Sequence, residues 1–184
     1  MQIILIMFLL FQNPINSIEK SYSYHSKMAD KYYHDGDFPN MIYHLQQKVK
    51  LDPKDVNSYS DLAYYYWSMS VDDKLRRKEF MDKAFYYLKT GLENNKDSAY
   101  MYDEFGNFYI TSSKNYKLAI SYLEQSISKS DSPLSSFHSL FVCYLKTEQY
   151  TKAKEVMIKC LKKFPDDLKG KANLEKINKL LSSS

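Results

Sequence analysis

Gly36 to Asp55, GDFPNMIYHLQQKVKLDPKD, reads as a helix with both ends marked. Ahead of it, MADKYYHDGD supplies the end of a preceding helix and a tight turn. Behind it, LDP closes the helix with Pro53, whose fixed φ and missing N–H cannot continue it. One unit is therefore a helical hairpin, and the other apolar clusters of the chain repeat parts of it.

The first unit carries His25, Met28, Ala29, Tyr32, Gly36, Phe38, Leu45, Val49 and Pro53. A second carries Tyr59, Leu62, Ala63, Tyr66, Ala84, Leu88 and Gly91, and has Lys96 where the closing proline would stand. A third carries Tyr102, Phe105, Gly106, Tyr109, Tyr116, Ala119, Leu123 and Ser126. A fourth carries Phe137, Leu140, Tyr144, Tyr150, Ala153, Met157, Cys160 and Pro165. Ala119 and Ala153 are 34 residues apart and Ala84 and Ala119 are 35 apart, whereas Met41 and Ala84 are 43 apart.

This alternation of bulky and small residues resembles the tetratricopeptide repeat, whose period is about 34 residues. Its small residues let two helices approach to roughly 8–10 Å while large ones fill the grooves beside them. The chain departs from the pattern at Met41, at Lys48 and at Phe141, where small residues are usual. The resemblance covers four repeats, at about 22–55, 56–98, 99–132 and 134–167, within 18–167. A single repeat cannot bury its apolar face, so it implies an all-α, right-handed superhelical array of antiparallel helical hairpins, a solenoid. Residues 168–184 follow, with Leu174, Ile177 and Leu181 on one stripe, as a capping helix and short tail.

Composition agrees with packed hairpins lacking long loops, because only 4 Gly and 5 Pro stand against 18 Tyr and 10 Phe. A length of 184 suggests one domain. The run from Ile3 to Phe11 is too short for the ~20 residues of a membrane span and suits a signal-peptide core. Residues 1–17 are accordingly expected to direct export, to the periplasm or outside the cell. An uncleaved anchor, or a start at Met7, is the alternative and would leave the protein membrane-anchored or cytoplasmic. Cys143 and Cys160 both fall on helices of the fourth unit and are expected as buried thiols.

Two stretches stand outside the repeat pattern. VDDKLRRKE, residues 71–79, has no counterpart in the other units and is expected to lengthen the second hairpin, with Ser70 and the acids after it marking a helix start. Residues 152–179 hold nine lysines against four acids, so the net charge of +4 is local to the C-terminal end. A solvated face is the plain reading, and an anionic membrane surface or an acidic partner the alternative.

The resemblance implies a protein-binding scaffold whose concave surface comes from first-helix residues between the packing positions. Here these are Asp30 and Tyr33; Asn57, Ser60, Tyr64 and Trp67; Tyr100, Asp103, Asn107 and Ile110; and Ser135, His138 and Val142. That face is aromatic and mildly acidic, so it would repel a peptide's terminal carboxylate. Trp67 with Tyr64 is the leading hot spot. His25, His34 and His44 share one hairpin, but counting from its turn places His44 opposite Ala29, so the three are not expected to converge on a metal. Without a nucleophile elbow, phosphate loop or metal signature, neither catalysis nor a cofactor is expected. The expected partner is a protein or peptide, not nucleic acid, with a membrane involved only if residues 1–17 remain. The alternative role is a structural subunit of an envelope or secretory complex that docks through its outer face, the 71–79 insert or the basic end. The sequence sets no oligomeric state.

Overall fold

The computed structural model describes residues 21–182, so the expected export segment at 1–17 lies outside the described residues. Nine helices and no strand occur among them. They are α1 (Tyr22–His34), α2 (Phe38–Leu51), α3 (Val56–Asp72), α4 (Arg77–Asn94), α5 (Ala99–Ser113), α6 (Tyr116–Ile127), α7 (Leu134–Lys146), α8 (Tyr150–Lys163) and α9 (Leu168–Ser182). The helices fall into two compact units, with the boundary after Gly91 inside α4. Length alone suggests one, but hairpins that touch only their neighbours need no shared centre.

Polar side chains at the caps set where the helices start. Ser21, Asp37, Asp55, Ser98 and Asn115 each accept from a backbone N–H of the first turn of the next helix. Three of the hairpin turns place one residue in the left-handed region: Gly36 at φ 72°, Lys114 at 53° and Glu148 at 58°. The N–H groups of Asp37 and Gln149 then return to the Tyr32 and Tyr144 carbonyls, both at 2.9 Å. That is the bond which satisfies a helix's last open carbonyls.

The second hairpin ends differently. The 71–79 insert extends α3 to 17 residues and α4 to 18, against 12–15 for the helices of the other hairpins. It therefore lengthens the hairpin, as its composition suggests. Its restart is at Asp73, whose Oδ1 accepts from the Leu75 and Arg76 N–H groups at 3.0 and 3.1 Å. The expected start at Ser70 is not one: that hydroxyl is buried and donates to the Trp67 carbonyl at 2.6 Å.

In the first unit Ala29, Met41, Leu45, Val49, Tyr59, Leu62, Ala63, Tyr66, Phe80 and Ala84 are buried. Met41, where the repeat prefers alanine, is accommodated as core. In the second unit one cluster runs from Ala119 and Leu123 through Phe137, Leu140, Phe141 and Met157 to Ile177 of α9. Leu174 and Leu181 pack against the same cluster, so α9 covers the end of the fourth repeat. Both cysteines are free and fully buried, and burial pushes each thiol up to about 12.

Candidate functional site

A pocket of about 740 Å³ opens in the first unit between α2, α3 and the start of α4, with Tyr33 of α1 at its edge. Its walls are Phe38, Ile42 and Tyr43 from α2, Tyr64, Tyr65 and Met69 from α3, and Phe80 from α4. Four of its aromatic rings remain open to solvent: Tyr33 at 52%, Phe38 at 45%, Tyr43 at 51% and Tyr64 at 58% exposure. Such a grouping is unusual for a surface that has no partner.

Polar groups fix the floor and the rim. Gln46 Nε2 donates to the phenol oxygens of Tyr66 at 3.1 Å and Tyr87 at 2.9 Å, and those two rings stack at 5.6 Å with planes 4° apart. The Arg76 guanidinium lies over the Phe80 ring at 4.5 Å, and Lys83 Nζ over Tyr66 at 5.3 Å. Glu79 accepts from Arg76 at 3.0 Å and from Lys83 at 2.7 Å, which holds its carboxyl down at about 2. Asp72 and Arg76 come from the insert, so the extra residues of the second hairpin build one end of the pocket.

The residues expected from the sequence divide. Tyr33 and Tyr64 reach this pocket, whereas Trp67 is half-buried beside the Tyr64 ring at 6.0 Å and does not line it. Asp30 is exposed and, with Tyr33, lines a smaller hollow of about 300 Å³ closed by Lys48, Asp61 and Tyr65. Asn57 is exposed in the first turn of α3, and Ser60 is buried. In the second unit Tyr100 and Asn107 are half-buried, and Asn107 accepts from the Ser139 hydroxyl at 2.7 Å.

Asp103 is buried and accepts from the Ser135 and Ser136 hydroxyls at 2.8 and 2.7 Å, tying α5 to α7. Burial pushes its carboxyl up, against the pull of those hydroxyls. Asp103 is thus an internal tie and gives no acidic character to a binding face. His138 turns toward Asp167, with Nε2 2.9 Å from Oδ2.

Sequence reasoning passed over Phe38, Ile42 and Tyr43 because it drew the binding face from first helices alone, and over Met69 and Arg76 because they stand at and beyond the end of α3, where the insert interrupts the repeat pattern. The signal was present in FPNMIY, where aromatic residues stand beside the packing positions of α2.

Two of the three histidines meet within the first hairpin. His25 and His44 are both buried, and their Nδ1 atoms lie 2.8 Å apart, so one ring must donate to the other. His34 stays apart, exposed and 3.6 Å from Asp30. The rings of Tyr24, Tyr32 and Tyr43 surround the pair. Desolvation, and then the neighbouring His25, lower the pKa of His44. A base depressed in the folded state contributes stability that is complete above its unfolded value, about 6.5, and is lost as pH falls below it. The opening free energy of α1 and α2, read from amide exchange after correction for the intrinsic pH dependence of exchange, should therefore fall between pH 7 and pH 5, by up to about 1.4 kcal/mol per pH unit. His44→Phe should flatten that dependence, and an unchanged slope would remove the pair as its source.

Comparison with known proteins places the fold. No family model and no curated protein matches the chain. Solved structures do: TTC0263, a thermophilic TPR protein of Thermus thermophilus, is similar with a TM-score of 0.65 at 19% identity, over 92% of this chain and 87% of that one. PilW, described as a widely conserved type IV pilus biogenesis factor, is similar with a TM-score of 0.63 at 18% identity, over 86% and 69%. YrrB, described as a TPR protein with an unusual peptide-binding site, is similar with a TM-score of 0.62 at 12% identity, over 94% and 84%. The chain therefore has the tetratricopeptide repeat fold, an all-α solenoid of antiparallel hairpins.

Proposed function

We propose that this protein is a non-enzymatic interaction scaffold that takes an apolar or aromatic anchor of a protein partner into the pocket of its first unit. The anchor is presented by an extended peptide or by one helix. The observation that carries this reading is the cluster of open rings around the pocket. Aromatic side chains supply large contact area at low entropy cost, so they dominate binding energy wherever a partner covers them. The fold supports the same reading, since the similar protein YrrB is itself described by a peptide-binding site. The charged groups at the rim are engaged with one another through Glu79, so they orient a partner more than they attract it.

A second reading, a structural subunit of an envelope assembly, is favoured by the likeness to PilW and by the insert, where Leu75 is 99% exposed and Val71 55%. One experiment separates the two. Partners crosslinked to the protein in its native cells are identified by mass spectrometry for wild type, for Phe38→Ala with Tyr64→Ala, and for Leu75→Glu. A hot-spot loss of about 2 kcal/mol or more at either ring weakens the pocket's partner by at least ~30-fold, and both together by up to ~1000-fold, while Leu75→Glu should retain it. Partners kept by the double variant and lost with Leu75→Glu would overturn the pocket reading and establish the assembly reading. Deleting 71–79 would not discriminate, because Asp72 and Arg76 line the pocket.

A further inference from the structure

We propose that His138, Cys160 and Asp167 form a binding site for one divalent transition-metal ion of the zinc class. The three side chains come from different places: His138 from the middle of α7, Cys160 from the last turn of α8, and Asp167 from the residue before α9. Their donor atoms lie within 4.8 Å of one another. His138 Nε2 is 2.9 Å and Cys160 Sγ 3.5 Å from the same carboxylate oxygen, Asp167 Oδ2.

An imidazole nitrogen, a sulfur and a carboxylate oxygen are the donor types that select zinc over calcium or magnesium. Bond lengths of about 2.0–2.3 Å make the edges of a zinc tetrahedron roughly 3.3–3.8 Å. The thiol–carboxylate separation is already in that range, the imidazole–carboxylate separation of 2.9 Å is short of it, and the imidazole–thiol separation, within 4.8 Å, must close by up to about 1 Å as the histidine swings from the carboxylate toward the thiol. The side chains of His138 and Asp167 keep 12% and 8% exposure, which leaves the fourth position to water from the solvent side.

Groups around the trio suit this use. Gly170 donates its N–H to Asp167 Oδ2 at 3.0 Å, which orients the carboxylate. The Asn173 side-chain amide lies 3.4 Å from His138 Nδ1. The amide atom facing Nδ1 is the nitrogen, Nδ2; when Nε2 binds metal the imidazole proton resides on Nδ1, and a half-turn of the amide brings its oxygen there as acceptor, the partner that histidine ligands usually have. Binding replaces the Cys160 S–H bond with a sulfur–metal bond and releases one proton to solvent. The ion then clamps α7, α8 and the start of α9, so its effect is to lock the terminal helix onto the fourth repeat. This inference is independent of the pocket in the first unit.

The alternative is that the trio is only a hydrogen-bonded helix cap. Titration of the full reduced chain with Co²⁺, followed by Zn²⁺, decides between them. One equivalent should bind, with a sulfur-to-cobalt charge-transfer band that Zn²⁺ displaces. Cys160→Ser should abolish the band, and Cys143→Ser should retain it. Asp167→Asn keeps an oxygen for the Gly170 N–H, so its helicity should be unchanged while affinity falls by more than ~10-fold. Absence of saturable binding, or an equal band in Cys160→Ser, would overturn the site. So would unaltered affinity in a folded Asp167→Asn.

Discussion

Replacing Leu123 by alanine is expected to lower the free energy of unfolding by about 2–5 kcal/mol, the cost of emptying a fully buried leucine position. Leu123 is completely buried in the core of the second unit. Its side chain lies directly over Gly106, where a Cβ would stand 2.5 Å from Leu123 Cγ and 2.8 Å from Cδ2. The branch point of the leucine, not its flexible end, meets the added carbon. Gly106→Ala should therefore destabilise by about 1–3 kcal/mol through overpacking, even though alanine gains up to ~1 kcal/mol in helix propensity. In the double variant the added methyl enters space the leucine has left, so its cost should fall clearly short of the summed single costs. Urea unfolding of the four proteins measures this, and simple additivity would show that the two positions do not share one packing contact.

That contact is the part of the fold most legible in the sequence, because a repeat fixes small against large residues at set spacings. Phe105, Gly106, Ala119 and Leu123 are all buried where the repeat places core residues. Face assignment was less legible. The spacing that puts Asp103 and Ser60 between packing positions says which way they point from their own helix. It does not say whether another helix covers them. Two serines of α7 meet Asp103, so a position open within one hairpin is closed in the unit.

The histidine pair failed for a matter of reach. Counting from the turn sets His44 opposite Ala29, and the four-residue step from His25 to Ala29 is ~6 Å of helix, a gap that two rings aimed at each other can close. The pocket was hidden for a further reason: it needs Phe38 and Tyr43 from a second helix together with the insert, and no single period contains all three.

Asp55→Ala should cost about 2–4 kcal/mol, because it removes a helix cap and the charged hydrogen bonds that meet there. The Asp55 side chain is 6% exposed, and its Oδ1 accepts from the Ser58 N–H at 3.1 Å as the start of α3. Its other oxygen accepts the Tyr22 phenol at 2.7 Å from the first residue of α1, and also the Ser58 hydroxyl. Lys48 Nζ, from the last turn of α2, is 3.4 Å away and lies over the Tyr22 ring at 5.2 Å. This explains the departure at Lys48: where the repeat prefers a small residue, a cation here pairs with a carboxylate, and three helices share one cluster. Burial and the Asp55 bond push the Tyr22 phenol up to about 12, so it remains a donor throughout the physiological range.

Desolvation opposes the Asp55 charge, but the Ser58 and Tyr22 hydrogen bonds and Lys48 outweigh it and hold the pKa below its ordinary value. A carboxyl depressed in the folded state contributes stability that is present above its unfolded pKa, about 3.9, and is lost as pH falls through the folded value. The deficit of Asp55→Ala relative to wild type should thus be level from pH 6 to pH 8 and shrink below pH 4, a window separate from that of His44. Asp55→Asn, which keeps the cap and loses the charge, should fall between the two proteins at neutral pH. A deficit that persists undiminished in acid would assign the effect to the cap alone and remove Lys48 and the carboxylate charge from the account.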